Sequence, residues 1–146
     1  MKNENRGKCR TGIKRDTDSA GDLERIRTSI IRELENVESI YLFGSLVKGT
    51  FDESSDYDIA VVVKRSPDAY IGKISAIRYA LLGKTGRPVD IIILDYDDLS
   101  VASPIVYEIL QHNRLLFGRD ILPRITHEAK RVHPIVMDGA TVGYHV

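Results

Sequence analysis

Apolar side chains along this chain recur in two rhythms, one helical and one extended. Ser19 with Asp22 has the form of a capping box, and Leu23, Ile26, Ile30, Leu34 and Val37 follow at three- and four-residue spacing, which predicts an amphipathic helix packed on a sheet. Ile40 to Phe43 is a short β-favouring run that stops at Gly44-Ser45, the pattern of a strand turning sharply into a helix. Ile59 to Val63 and Ile91 to Leu94 are unbroken apolar runs, as expected of strands buried on both faces. Between them Ser66-Pro67 predicts an N-cap and first-turn proline, with Ile71, Ile74, Ile77 and Leu81 as a buried stripe ended by Gly83.

Ser103-Pro104 predicts another helix start, with Ile105, Val106, Ile109 and Leu110 facing inward, and Leu115 to Phe117 a short last strand. Residues 120–132 carry Ile121, Ile125, Ala129 and Val132 at helical spacing, a stripe expected to cover the core. The whole reads as an α/β (α+β) domain: one small mixed β-sheet flanked by helices over residues 19–132. Residues 1–18, polar and mixed in charge, read as a mobile arm, and 133–146 as a weakly ordered tail.

At 146 residues and 42% hydrophobic content the chain suits one domain with a real core. Its 21 basic and 21 acidic residues cancel, so the basic excess of a general nucleic-acid binder is missing and no direct nucleic-acid binding is expected. The lone Cys9 excludes an internal disulfide. With the longest apolar runs too short to span a bilayer and no signal-peptide core near Met1, the expected location is cytoplasmic, away from membranes. The four histidines lack zinc-site spacing. Gly83-Lys84-Thr85 echoes a phosphate loop, but Arg78 stands where that pattern needs its first glycine, and the order is helix then strand, so a plain turn is expected.

Candidate chemistry gathers around the first two strands. Gly44 allows a ligand close to the backbone, the helix start after it offers unpaired N–H groups to phosphate, and the Ser45 hydroxyl adds a donor. Lys48, three residues on, falls on the serine's face as a point charge for phosphate oxygens. Asp56 and Asp58 flank Tyr57 at the start of the Ile59 strand, so both carboxylates share one face with Cα atoms about 6.6 Å apart. Two carboxylates so placed call for a cation between them, and Mg²⁺ bound to a nucleotide's phosphates fits. Asp90, near the start of the next buried strand, can join them if the strands pair, giving three carboxylates for two ions. Asp95, Asp97 and Asp98 read instead as a solvated loop.

Gly44-Ser45, ten intervening residues, Asp56-x-Asp58 and the later strand carboxylate Asp90 resemble the nucleotidyltransferase superfamily that includes DNA polymerase beta, and most closely its minimal nucleotidyltransferase branch. The resemblance covers about Leu23 to Phe117. It implies the polymerase beta-like fold. By it Asp56 and Asp58 bind two Mg²⁺ ions, Asp90 completes the catalytic ion and helps activate the acceptor hydroxyl, and Gly44-Ser45 holds the β and γ phosphates of a nucleoside triphosphate. One departure is that Leu46 stands where that branch often carries arginine, leaving Lys48 as the only base in the turn.

The implied reaction moves a nucleoside monophosphate, with ATP the expected donor, onto a hydroxyl and releases pyrophosphate. Antibiotic-modifying relatives add a helical domain to hold a small acceptor, and the 56 residues after Asp90 are taken up by a loop, a helix, a short strand and a tail. The acceptor is therefore expected on another macromolecule, or in a pocket completed by a homo-oligomer. In the minimal branch the partner is frequently a HEPN-type toxin adenylylated on tyrosine by its antitoxin. Two other readings stand beside this one: a non-catalytic antitoxin module that neutralises its partner by covering it, and a dimeric transferase for a small molecule such as an antibiotic.

Overall fold

A computed structural model describes residues 19–101, 103–125 and 133–145, so the expected arm over 1–18 and the stretch 126–132 lie outside the described residues. The first helix, α1, covers 19–33 and buries Leu23, Ile26 and Ile30, with Leu34 buried just past its end. Strand β1 (Val37–Phe43) follows, then the one-turn helix α2 (Ser45–Lys48), β2 (Tyr57–Val63), α3 (Tyr70–Leu81) and β3 (Val89–Leu94). Helices α4 (Tyr96–Ser100) and α5 (Pro104–Gln111), strand β4 (Asn113–Gly118), a 3₁₀ turn (Leu122–Arg124) and strands β5 (His133–Met137) and β6 (Ala140–His145) complete the order.

Four strands form one mixed sheet in the order β3-β2-β1-β4, with β2 and β3 parallel and the other pairs antiparallel. Alternation sorts its side chains into two cores. Leu42, Tyr57, Ile59, Val61, Val89 and Ile91 pack with α1 and with Ile77 and Leu81 of α3, whereas Tyr41, Phe43, Ala60, Val62 and Leu94 pack with Leu99, Val106, Ile109, Ile121 and Leu122. Both faces are covered, which is why β2 and β3 read as unbroken apolar runs. Buried polar groups on β1 are paired: the Tyr41 hydroxyl donates to Asp120 (2.9 Å) and accepts from Ile121 N–H (2.9 Å), and Glu38 is held by Arg119.

Several local expectations differ from the fold. Val37 opens β1 instead of closing α1. Helix α3 starts at Tyr70, not Pro67, because the Ser66 hydroxyl donates to Asp95 Oδ2 (2.9 Å) instead of capping. With that start Tyr70, Ile74, Ile77 and Leu81 make the inner stripe, and Ile71, about a quarter-turn away, is 78% exposed. The acidic cluster is a one-turn helix and not a loop: Asp95 accepts from Asp98 N–H (2.8 Å) while Asp98 accepts from Asp95 N–H (3.0 Å), a reciprocal capping box. Ser103 caps α5 as expected, accepting from Val106 N–H at 3.3 Å. The C-terminal stretch read as a tail contains the β5–β6 hairpin, turning at Asp138 (φ 52°) and Gly139 (φ 78°), two positive φ values that suit an Asp-Gly turn.

Candidate active site

Three segments meet where β1 ends and β2 and β3 begin. Phe43, the last residue of β1, pairs with Asp58, and Asp58 pairs in turn with Asp90 across the parallel ladder. Both carboxylates leave the sheet on the face opposite Tyr57 and Val89. Asp56 lies just before β2, and its charge and that of Asp90 both act on Asp58. Half-burial above all, and then these two neighbouring charges, raise the Asp58 carboxyl pKa above its ordinary 3.8, with Lys48 pulling the other way.

Gly44 follows Phe43 with φ 78° and ψ −153°. A Cβ there would lie 3.0 Å from Asp58 Cγ and closer still to Oδ2, so the Asp58 carboxylate packs where any other residue's side chain would be. The glycine serves both a positive φ and this approach. Ser45 opens α2 directly after it, and Gly44 C=O accepts the N–H groups of Val47 (3.1 Å) and Lys48 (3.0 Å). Lys48, expected to face phosphate, has Nζ 2.5 Å from Glu108 Oε2 on α5, a partner about sixty residues distant that periodicity could not reveal.

Asp90 Oδ1 is 3.7 Å from Arg78 Nη2, both side chains more than half exposed, and Arg78 Nε donates to Val89 C=O (3.2 Å). Among the described residues, as the side chains stand, no three acidic, histidine or cysteine groups are clustered to hold a metal ion. The register brings Asp58 and Asp90 side by side, and the exposed Asp90 carboxylate is held by a solvated contact and not by packing. The carboxylates of Asp58 and Asp90, with the charge of Asp56 beside them, are hard oxygen donors of the type a divalent cation takes.

The opposite face fixes this corner. Tyr57, between Asp56 and Asp58, donates its hydroxyl to Asp22 Oδ2 (2.8 Å), and the same oxygen accepts Gly86 N–H (2.9 Å) from the turn leading to β3. Tyr57 N–H donates to Pro88 C=O (2.8 Å), and Arg87 donates to the carbonyls of Asp52 (2.6 Å) and Ser55 (3.0 Å). Burial and the Asp22 bond push the Tyr57 pKa to about 12, so it remains a donor. Asp22, read in sequence as a cap residue, thus ties together the segments carrying Asp58 and Asp90. Its burial against Tyr57 follows from the packing of α1 and left no local signal in the sequence.

Residues 24–122 match the family described as polymerase beta, nucleotidyltransferase. The chain belongs to that family. A Methanocaldococcus jannaschii protein, provisionally named a protein adenylyltransferase, is 32% identical over 114 residues, 71% of this chain and 78% of its own. A chain of a substituted MntA–HpeT toxin–antitoxin complex is 26% identical, with TM-score 0.50 over 66% of this chain and 72% of that one. Two further solved chains are alike in fold. One, from a toxin–antitoxin complex with AMP-PNP, is 24% identical with TM-score 0.53 over 67% and 74% of the two chains. The other, a spectinomycin adenyltransferase from Enterococcus faecialis solved with ATP and spectinomycin, is 17% identical with TM-score 0.57 over 73% and 58%. This nucleotidyltransferase therefore has the expected polymerase beta-like fold, and its structural neighbours include chains of toxin–antitoxin complexes. No helix among the described residues is long and apolar enough to cross a membrane.

Proposed function

We propose that this nucleotidyltransferase is magnesium-dependent and moves AMP from ATP to a hydroxyl of a partner protein, as the antitoxin to a HEPN-type toxin. The observation that carries the reading is the Asp58–Asp90 pair beside Gly44, with the Asp56 charge acting on it. Asp56, Asp58 and Asp90 would hold two Mg²⁺ ions, which when bound polarise the phosphates and offset their charge. Gly44 and Ser45 receive the β and γ phosphates, and Lys48, released from Glu108, adds positive charge. The acceptor oxygen attacks the α-phosphorus, its proton passes to Asp90, and the bond to the pyrophosphate oxygen breaks. The protein acceptor and the antitoxin role are favoured by the name of the M. jannaschii relative and by the toxin–antitoxin neighbour.

Incubation with Mg²⁺, labelled ATP and the protein encoded beside this chain is expected to label that protein on a hydroxyl side chain, and Asp58→Asn to abolish labelling. Labelling that survives Asp58→Asn ends the proposal.

A further inference from the structure

Helix α3 is apolar on two sides, and only one is packed. Its inner stripe joins the core, while Ile71 (78% exposed), Tyr79 (80%) and, just past its end, Leu82 (75%) lie on the outer side with Ser75 and Arg78. A helix hydrophobic all round normally has partners all round, and three large apolar side chains on one solvated helix face mark an interaction surface more than chance exposure. From residue 70 to 89 the chain carries Lys73, Arg78, Lys84 and Arg87 and no acidic residue, although the whole chain is neutral. Glu33, Glu35 and Asp68 lie around the Lys73 end, which leaves the positive character at the Arg78 and Lys84 end. That end lies at the β3 edge, round which Arg78 reaches from the α3 face of the sheet to Asp90.

We infer that the outer face of α3, centred on Tyr79 and Leu82 and rimmed by Arg78 and Lys84, is where the acceptor protein docks, through an apolar face edged with acidic side chains. The inference rests on the reading of this chain as a transferase to a protein hydroxyl, and it names the surface that brings that hydroxyl to Asp90. A protein suits the face better than single-stranded nucleic acid, which stacks on several aromatic rings, whereas Tyr79 is the one aromatic side chain among Ile71, Tyr79 and Leu82. Apolar anchors beside complementary charge are the arrangement in which a few residues dominate affinity and the charges set the salt dependence.

The test measures binding and transfer separately, with the purified protein encoded beside this chain as probe. Tyr79→Glu with Leu82→Glu is expected to weaken binding by about 30-fold or more, as loss of an interface anchor does. Lys84→Glu should weaken it less, with an effect that shrinks as salt rises. Val101→Asp, at an exposed apolar position outside α3, should leave affinity unchanged. Melting curves establish that each variant is folded, and Tyr79→Glu and Leu82→Glu singly replace the pair if it is not.

Wild-type affinity in the double variant overturns the docking surface and leaves the transferase reading intact. Binding that depends on Tyr79 and Leu82 without any transfer of label supports the surface and overturns the transferase reading, while no binding by the wild type overturns both. If the substitutions abolish affinity for a single-stranded RNA oligonucleotide and spare the protein, the face is a nucleic-acid surface and the inference falls.

Discussion

Asp58 and Asp90 stand directly opposite each other on parallel strands β2 and β3. Neighbouring strands are ~4.8 Å apart, so the two carboxylates repel wherever nothing cationic intervenes. Asp56 adds a third charge, and Gly44 holds Asp58 from behind. This like-charge crowding costs stability, as sites built for function often do.

That cost has a sign in pH. Since the folded Asp58 pKa is raised, the stability this carboxyl contributes is fully present below its ordinary value and is lost as pH rises through the raised one. Urea unfolding in EDTA should therefore show Asp58→Asn gaining stability relative to the wild type as pH rises above 3.8 through the raised pKa. Mg²⁺ should stabilise the wild type at neutral pH and not the variant. Protons and Mg²⁺ compete for this carboxylate, so Mg²⁺ affinity should fall as pH is lowered through its raised pKa.

Gly44→Ala places a methyl group against the Asp58 carboxylate at φ 78°. A non-glycine residue in such a conformation costs about 1–3 kcal/mol, and moving the carboxylate by an ångström or so should cut transfer roughly 100-fold. Unfolding curves and a turnover assay would check both parts. Wild-type transfer in the variant would show that Asp58 does not need this contact.

Tyr57→Phe removes the donor to Asp22 and leaves a buried carboxylate one bond short. The expected loss is about 1–3 kcal/mol of stability, together with weaker Mg²⁺ binding because the strands bearing Asp58 and Asp90 lose their shared clamp. Titration calorimetry alongside denaturation separates the two. Lost stability with unchanged Mg²⁺ affinity would make Tyr57 a purely structural residue.

Arg78 competes with a cation for Asp90 across an exposed contact. Such pairs are worth about 0–1 kcal/mol, so Arg78→Gln should tighten Mg²⁺ binding by no more than a few-fold in the same calorimeter. Weaker binding in this variant would mean that Arg78 supports the site instead of competing for it.

The Asp-x-Asp pair, the strand carboxylate and the Gly-Ser turn were visible as a pattern in sequence because local alternation and turn chemistry determine them; the register of β2 against β3 sets Asp90 opposite Asp58, while its side chain turns to Arg78. The relations that were not legible are long-range. Lys48 meets Glu108, Tyr57 meets Asp22 and Ser66 meets Asp95, and no spacing rule links such pairs. Ser66-Pro67 misled because a serine before proline is an N-cap only when its hydroxyl has no better partner. The Asp138-Gly139 turn carried a hairpin signal that its weakly patterned flanks obscured.

The most direct test of the account is where a divalent cation binds. Crystals grown with Mn²⁺ and a non-hydrolysable ATP analogue should show anomalous density between Asp56, Asp58 and Asp90, with Asp90 turned away from Arg78 and the triphosphate running toward Gly44 and Ser45. Nucleotide bound there with no metal density at these carboxylates, or with Asp90 still directed at Arg78, would contradict it.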